Sequence, residues 1–132
     1  MKVHLICILL LPVLACHGPV AREGELDARI GPPIAEKYQS IQDGQDWLNP
    51  FLQVCPQGVI LSVKRGTQTL RIEDLRQNIR ELSVESWPYG RIVALQSCSI
   101  GILSYDEMQR QRMSKVQGVL RTLRLGISLW PS

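Results

Sequence analysis

Four consecutive apolar residues, Ile92 to Leu95, follow a turn that contains Trp87, Pro88 and Gly90. A half-buried strand alternates apolar and polar residues, whereas a short continuous apolar run is typical of a strand covered on both faces. Proline holds the residue before it extended, and glycine permits backbone conformations that other residues resist. We therefore predict that residues 92–95 belong to the central strand of a small domain.

A hairpin is predicted before this strand. Residues 47–54 have a strand-like composition, and Pro50 indicates an edge strand because proline donates no ladder hydrogen bond. Residues 55–58 have proline in the second and glycine in the fourth position of a β-turn. Apolar and polar side chains then alternate over residues 59–64, so the second strand has one buried face.

Two helices are predicted around the central strand. Ile72, Leu75, Ile79 and Leu82 lie on one stripe of a helix of roughly ten residues. A longer helix of about 20 residues has Val116, Val119, Leu120 and Leu123 in its apolar arc. We assign its start to a capping box formed by Ser104 and Glu107, and its C-terminal cap to Gly126.

These elements predict an α+β fold. Residues 127–130 alternate once more and add a closing strand. The domain, residues 46–132, is expected to be a small two-layer sandwich in the order β-β-α-β-α-β. Its mixed sheet has four strands, or five if residues 69–71 form a further strand, and it carries two helices.

The N-terminus has the pattern of a signal peptide. A positive start precedes an apolar run of about a dozen residues, which is too short for a bilayer span of about 20 residues. Residues 13–16 resemble the bacterial lipobox, with alanine directly before Cys16. We predict a signal peptide over residues 1–16 and lipidation of Cys16; the alternatives are ordinary cleaved secretion and an uncleaved or cytosolic chain.

His17, rather than aspartate, follows the lipidation site. By analogy with Gram-negative sorting, a lipidated chain is expected on the periplasmic side of the outer membrane, and an unlipidated one in the periplasm or outside the cell. Residues 17–45 are rich in glycine, proline and charge, which predicts a flexible tether. A segment that folds on a partner is the alternative for the tether.

From residue 58 to residue 130 the pattern resembles the periplasmic domain of the ExbD and TolR biopolymer-transport family. The resemblance lies in residues 58–63, in the helices, in the buried strand 92–95 and in residues 125–129. It implies this fold and a periplasmic interaction role. The family's transmembrane helix with a proton-responsive aspartate has no counterpart here, and Gln96 and Ser97 stand where the family has an acidic position, so no family site residue is carried over.

Composition argues against several function classes. The net charge is +3, from 15 Lys and Arg against 12 Asp and Glu, with both signs dispersed, so we expect no nucleic-acid partner. The mature chain has a single histidine, His17, and lacks the nucleophile-elbow, phosphate-loop and HExxH motifs. No catalytic residue, metal site or cofactor is predicted.

Cys55 and Cys98 remain after removal of the signal peptide and lipidation of Cys16. If residues 59–64 run parallel to the central strand, the two cysteines lie about 20 Å apart, beyond the limit near 7 Å for bridged Cα atoms. If residues 69–71 form a return strand, the cysteines share one end of the sheet. The sequence leaves both arrangements open.

The expected function is that of a non-catalytic bacterial cell-envelope interaction module. Its partner is another envelope protein or a second copy of the chain, and its membrane contact is the lipid anchor. An edge strand over residues 47–54 is one candidate contact. The other candidate surface comprises Trp87, Tyr89, Arg110, Arg121 and Arg124. For Trp87 and Tyr89 a packed corner is the competing interpretation, and for the arginines a solvated helix face. The alternative function is a small periplasmic ligand-binding protein or enzyme that uses carboxylates and the Trp87/Tyr89 corner.

Overall fold

A mixed five-stranded sheet forms the centre of the computed structural model, which describes residues 25–98 and 107–132. Its strands are β1 (Phe51–Cys55), β2 (Gly58–Val63), β3 (Gly66–Leu70), β4 (Ile92–Ser97) and β5 (Gly126–Trp130). The helices are α1 (Glu25–Arg29), α2 (Ala35–Tyr38), α3 (Ile72–Arg80) and α4 (Glu107–Thr122), with 3₁₀ turns at Gly44–Asp46 and Val84–Ser86. The predicted α+β class is confirmed, and the fifth strand is β3.

The strand order is β3-β2-β1-β4-β5. β1, β2 and β3 form an antiparallel meander, whereas β4 lies parallel to both β1 and β5. In β4, residues 92–95 are all buried, so the prediction of a strand covered on both faces is confirmed. The prediction that residues 47–54 form an edge strand is wrong, because β1 lies in the middle of the sheet. Pro50 precedes the strand, and its carbonyl accepts a hydrogen bond from the N–H of Ala94.

Both longer helices pack on the same face of the sheet. The stripe predicted for α3 is confirmed by the complete burial of Leu75 and Ile79, which join Val116 and Leu120 of α4 in one core. Alternate residues of the strands complete this helix-side core, namely Leu52, Val54, Val59, Leu61, Val93 and Leu95. Burial of these side chains is the main stabilising term of the fold.

The segment before β1 is packed against the domain, which corrects the flexible tether predicted over residues 17–45 for the described part of that range. Leu26 and Ile30 are 2% and 3% exposed and belong to the helix-side core. The Asp27 carboxylate lies 3.0 Å from a guanidinium nitrogen of Arg91 and 2.9 Å from one of Arg124. Two apolar anchors and a shared carboxylate therefore hold α1 to the domain.

Residues 31–34 cross the turn that leads into β4. The carbonyl of Gly31 accepts the N–H of Arg91 at 3.0 Å, and the N–H of Ile34 donates to the carbonyl of Tyr89 at 2.8 Å. Gly90 has a φ of +83°, and a Cβ at this position would collide with the Pro32 carbonyl. Both the backbone conformation and the close approach require glycine at position 90.

The C-terminal end of α4 differs from the predicted one. Helix α4 ends at Thr122, and Arg124, not Gly126, adopts the left-handed conformation that follows a helix, with φ +58°. Gly126 is the first residue of β5 and donates its N–H to the carbonyl of Arg91 at 2.8 Å. The Ser104 half of the predicted capping box lies outside the described residues. Among the described helices, none has the length and apolar character of a membrane span.

Cys55 and Cys98 form a disulfide, with their Cα atoms 5.0 Å apart. Of the two arrangements left open by the sequence, the one with a return strand is present. Because β2 is antiparallel to β1 and β4 is parallel to β1, β2 and β4 run in opposite directions. Cys55 ends β1 and Cys98 follows β4, so both lie at one end of the sheet.

A candidate binding groove on the open face of the sheet

The sheet face opposite α3 and α4 carries an aromatic cluster. It comprises Tyr38, Trp47, Phe51, Tyr89 and Trp130. The Trp47 ring meets Tyr89 at a centroid distance of 5.1 Å and Trp130 at 5.8 Å, both nearly edge to face, and Phe51 meets Trp130 at 5.7 Å. Edge-to-face pairs at these distances are favourable because the positive edge of one ring faces the negative face of the other.

Ala94 lets these rings meet above the sheet. Phe51 lies opposite Ala94 in the ladder between β1 and β4, whereas Trp130 lies opposite Gln96 in the ladder between β4 and β5. Trp130 therefore contacts a ring two strands away. Ala94 is fully buried in this aromatic cluster, and its single methyl group leaves space for the indole.

The loop over residues 43–49 forms one wall beside the cluster. The Asp43 carboxylate accepts the N–H of Gln45 at 2.9 Å and caps the 3₁₀ turn. The Tyr89 hydroxyl accepts the N–H of Leu48 at 3.1 Å and donates to the carbonyl of Asp46 at 3.3 Å. The loop is therefore anchored to the turn before β4 by side-chain hydrogen bonds.

Asn49 completes this attachment. It is 2% exposed, its side-chain oxygen accepts the N–H of Tyr89 at 2.8 Å, and its side-chain nitrogen donates to the carbonyls of Gly90 and Ile92 at 2.8 and 2.7 Å. A buried amide that makes three short hydrogen bonds has a unique orientation. Asn49 thus fixes where β1 begins relative to the turn that carries Tyr89.

A groove of about 540 Å³ lies between this loop and the open face of the sheet. Aromatic and polar side chains share its lining: Trp47, Phe51, Trp130, Gln53, Ser62 and Gln96, with Asp43, Leu48 and Lys64 also contributing. The Gln53 amide nitrogen donates to the Gln96 side-chain oxygen at 2.9 Å, and the Gln96 amide nitrogen donates to the Pro131 carbonyl at 2.6 Å. This volume lies in the range of ligand sites, which combine apolar surface with a few fixed polar groups.

The groove has binding chemistry rather than the geometry of an acid–base site. Asp43 and Lys64 are its charged lining residues, and no pair of carboxylates lines it. In the described ranges, no group of three or more His, Cys, Asp and Glu side chains lies close enough together to hold a metal ion. The arrangement supports recognition through rings and amide groups.

Trp87 and Tyr89, the aromatic pair singled out in the sequence, form a packed corner. Each is 4% exposed. Trp87 belongs to the helix-side core, whereas Tyr89 belongs to the aromatic cluster on the opposite face. Neither lines the groove, so the prediction of these two residues as an interaction surface is wrong. Tyr89 acts on the groove indirectly, through its hydroxyl contacts with the loop.

The three predicted arginines are not gathered at one place. Arg110 lies 3.2 Å from Glu107 near the start of α4. Arg121, eleven residues later and roughly 16 Å along the helix, bonds Gln117 at 3.5 Å. Arg124 bonds Asp27. These side chains therefore form separate local contacts rather than a single basic surface.

Gln109 is a structural residue that the sequence pattern did not reveal. It is 1% exposed, and its side-chain nitrogen donates to the Val54 carbonyl at 2.7 Å and the Ser97 hydroxyl at 2.9 Å. It thereby ties α4 to the ends of β1 and β4 beside the disulfide. A glutamine within an apolar arc is the one signal that points to such a role, because a buried amide requires partners.

Two charged groups with shifted pKa values lie away from the groove. The pKa of Glu85 is lowered by hydrogen bonds from its own backbone N–H and from Ser83, with a further contribution from Arg65. The pKa of Arg71 is raised by its hydrogen bond to Asp74 and by the charges of Asp74 and Glu73. Both groups are fully exposed, so these shifts describe local surface contacts.

Comparisons with protein-family models, with curated proteins and with solved structures gave no match to this chain. The resemblance to the ExbD and TolR family therefore stays a prediction. Cys16, the predicted lipidation site, lies outside the described residues.

Proposed function

We propose that the protein is a non-catalytic interaction module of the bacterial cell envelope, exported and anchored by a lipid on Cys16. Its partner is another envelope protein or a second copy of the chain. The groove on the open face of the sheet is the binding site for the envelope partner. The observation that carries this proposal is the preformed groove itself, in which aromatic side chains and amide groups line the space between the loop over residues 43–49 and the sheet.

The rigidity of the groove supports a binding role. Its loop wall is held by Asn49 and Tyr89, and Gln96 is held by a hydrogen bond to the Pro131 carbonyl. A site whose polar groups are already oriented loses less conformational entropy when a partner binds. Exposed Leu48, at 53%, adds apolar surface at the edge of the same wall.

The disulfide supports the exported location. Disulfides persist in oxidising compartments such as the periplasm and are rare in the cytosol. A bridge between Cys55 and Cys98 therefore agrees with the signal-peptide pattern and the lipobox-like residues 13–16. The alternative function, which relied on carboxylates and on an accessible Trp87/Tyr89 corner, receives less support because both rings are buried.

A substitution inside the groove tests the binding role. Ser62 lines the groove, and Ser62→Arg introduces a long charged side chain there, whereas Ser114→Arg makes the same change on the exposed side of α4. After reversible crosslinking in intact cells, we expect specific envelope proteins to be recovered with the Ser114→Arg chain at the original level and with the Ser62→Arg chain at roughly a tenth of it or less. Equal recovery with the two variants would contradict the groove as the binding site.

Lipid labelling tests the anchor separately. Radiolabelled palmitate is expected to enter the protein and to be lost in Cys16→Ala. Absence of label from the original chain, or its retention in Cys16→Ala, would end the lipoprotein hypothesis without bearing on the groove.

A further inference from the structure

We propose that β5 is a dimerisation edge, at which two copies of the chain pair antiparallel with Ser128 opposite Ser128. This inference rests on the proposed function, since it names the second copy as one partner of the interaction module. It uses a strand edge rather than the groove, so the two can be tested apart.

β5 has backbone N–H and C=O groups that form no hydrogen bond with any described strand. In the described part of the chain, β5 pairs with β4 alone. The N–H of Gly126 donates to the Arg91 carbonyl at 2.8 Å, so the backbone groups of Gly126 point towards β4 in the parallel ladder. Because the ladder uses every second residue of the strand, Ser128 and Trp130 also direct their backbone groups towards β4. The backbone groups of Ile127 and Leu129 therefore point away from the sheet.

The spacing of these outward groups is self-complementary. In an antiparallel pair, two opposed residues exchange both hydrogen bonds, and such pairs alternate with pairs that exchange none. A twofold axis through Ser128 places Ile127 of one copy opposite Leu129 of the other, so the outward groups of both residues are satisfied. The same axis makes the central Ser128 pair the type in which the Cα atoms approach most closely.

The side chains agree with this register. Ile127 packs against the helix-side core, whereas Leu129 is 64% exposed, although its partner in the ladder, Leu95, is fully buried. In the twofold pair, Leu129 lies across the seam from Ile127 of the second copy, on the same face of the sheet. Opposed aliphatic side chains stabilise a strand pair, and the helix-side core would then continue across the dimer.

The other edge of the sheet is less suited to pairing. Gly66, Thr67, Gln68 and Thr69 of β3 are exposed and have no apolar side chain among them. The hairpin turn before β3 contains Lys64 and Arg65. Charged and polar residues at an edge strand discourage pairing with another chain. β5 is therefore the edge better suited to pairing with a second copy of the chain.

Pairing at β5 has a consequence for the groove. The twofold axis stands perpendicular to the sheet, because opposed residues of an antiparallel pair direct their side chains to the same face. Both helix layers therefore lie on one side of the ten-stranded sheet, and both grooves lie on the other. A partner with two copies of its binding element would then be held at two sites at once.

Cysteine crosslinking in native envelopes tests the register. Directly opposed residues in the close type of antiparallel pair have Cα atoms about 4.5 Å apart, which falls within the range for a disulfide. We expect Ser128→Cys to give mostly crosslinked dimer, and the matched control Gln68→Cys, at the centre of β3, to give little. Mass spectrometry should find the peptide of residues 125–132 linked to itself, which distinguishes this bridge from one through Cys16. No greater crosslinking with Ser128→Cys than with Gln68→Cys would overturn the proposal.

Sedimentation of the full chain in detergent gives a second measurement without an introduced cysteine. Leu129→Lys is expected to weaken the dimer by roughly tenfold or more, since it places charge at the seam. Met108→Lys, which replaces another exposed apolar residue, should leave the dimer unchanged; Met108 is 61% exposed. A monomeric original chain would overturn the pairing, while groove-dependent recovery of an envelope protein would still stand. Loss of that recovery from a chain that still dimerises would contradict the groove as the binding site and leave the pairing at β5 standing.

Discussion

Asn49 binds the backbone of Tyr89, and through this contact the loop before β1 and the turn before β4 form one unit. The Asn49 side-chain oxygen lies 2.8 Å from the Tyr89 nitrogen, and the Tyr89 hydroxyl returns to the same loop at Leu48. Each segment therefore contributes one side chain that binds the backbone of the other, although Asn49 and Tyr89 are 40 positions apart in the chain. The groove wall is a consequence of this reciprocal contact.

Asn49→Ala is expected to destabilise the protein strongly. The change leaves a buried N–H and two buried carbonyls without their side-chain partner, which corresponds to about 2–4 kcal/mol in the free energy of unfolding. Urea unfolding measures this loss. Asn78→Ala is the control, because Asn78 is half-buried and bonds the Asp74 carbonyl within its own helix, where a loss below about 1 kcal/mol is expected. Equal effects of the two changes would contradict the role assigned to Asn49.

The disulfide between Cys55 and Cys98 should contribute substantially to stability. The two residues are 43 positions apart, so the bridge restricts a long loop in the unfolded chain and is expected to stabilise by about 4 kcal/mol. Thermal unfolding with and without reductant measures the contribution, and the Cys55→Ser/Cys98→Ser double variant should match the reduced protein. A thiol count on the denatured, unreduced mature protein provides an independent check. Two free thiols from these positions would refute the bridge.

Asp27 is expected to contribute more to stability than an ordinary exposed ion pair. Its side chain is 19% exposed and meets Arg91, which is 20% exposed, as well as Arg124, which is 75% exposed. Asp27→Asn should lower the free energy of unfolding by about 1–2 kcal/mol, because a half-buried guanidinium loses its counter-charge. Arg124→Gln removes only the exposed pair, so its effect should stay within about 1 kcal/mol. A larger loss in Arg124→Gln than in Asp27→Asn would contradict this account.

A chain that begins at residue 46 should be much less stable than one that begins at residue 25. The shorter chain lacks Leu26 and Ile30, and each buried aliphatic side chain contributes about 1.5–3 kcal/mol. Since small domains have a total stability of only about 5–15 kcal/mol, the loss of both is severe. Circular dichroism during heating measures the difference. Equal thermal midpoints for the two chains would contradict a stabilising role for the segment before β1 and would favour a flexible tether.

Periodicity within the chain predicted the elements well, because a buried strand and an amphipathic helix each repeat over a few residues. Residues 92–95 and the stripe containing Leu75 and Ile79 are examples of this local signal. The placement of β1 was wrong because Pro50 lies just before the ladder, a difference of one residue that composition does not show. Glycine and proline in residues 31–33 resembled a linker, although this stretch lies against Gly90.

The groove lay beyond sequence reasoning for a different reason. Trp47 and Phe51 are close in sequence, but Trp130 comes from the far end of the chain and meets both rings above the buried Ala94. Trp87 and Tyr89 were predicted as a candidate surface because they lie in the turn before β4, yet both side chains are buried and pack within the domain. Neighbours in sequence were therefore a poor guide to which rings share a surface.

Photocrosslinking in native envelopes tests the central claim most directly. A photoreactive amino acid replaces either Gln53, which lies in the groove, or Gln111, which lies on the exposed side of α4. We expect a discrete adduct with an envelope component from position 53 and none above background from position 111. Adducts of equal yield from both positions, or from position 111 alone, would contradict the claim that the groove is the binding site.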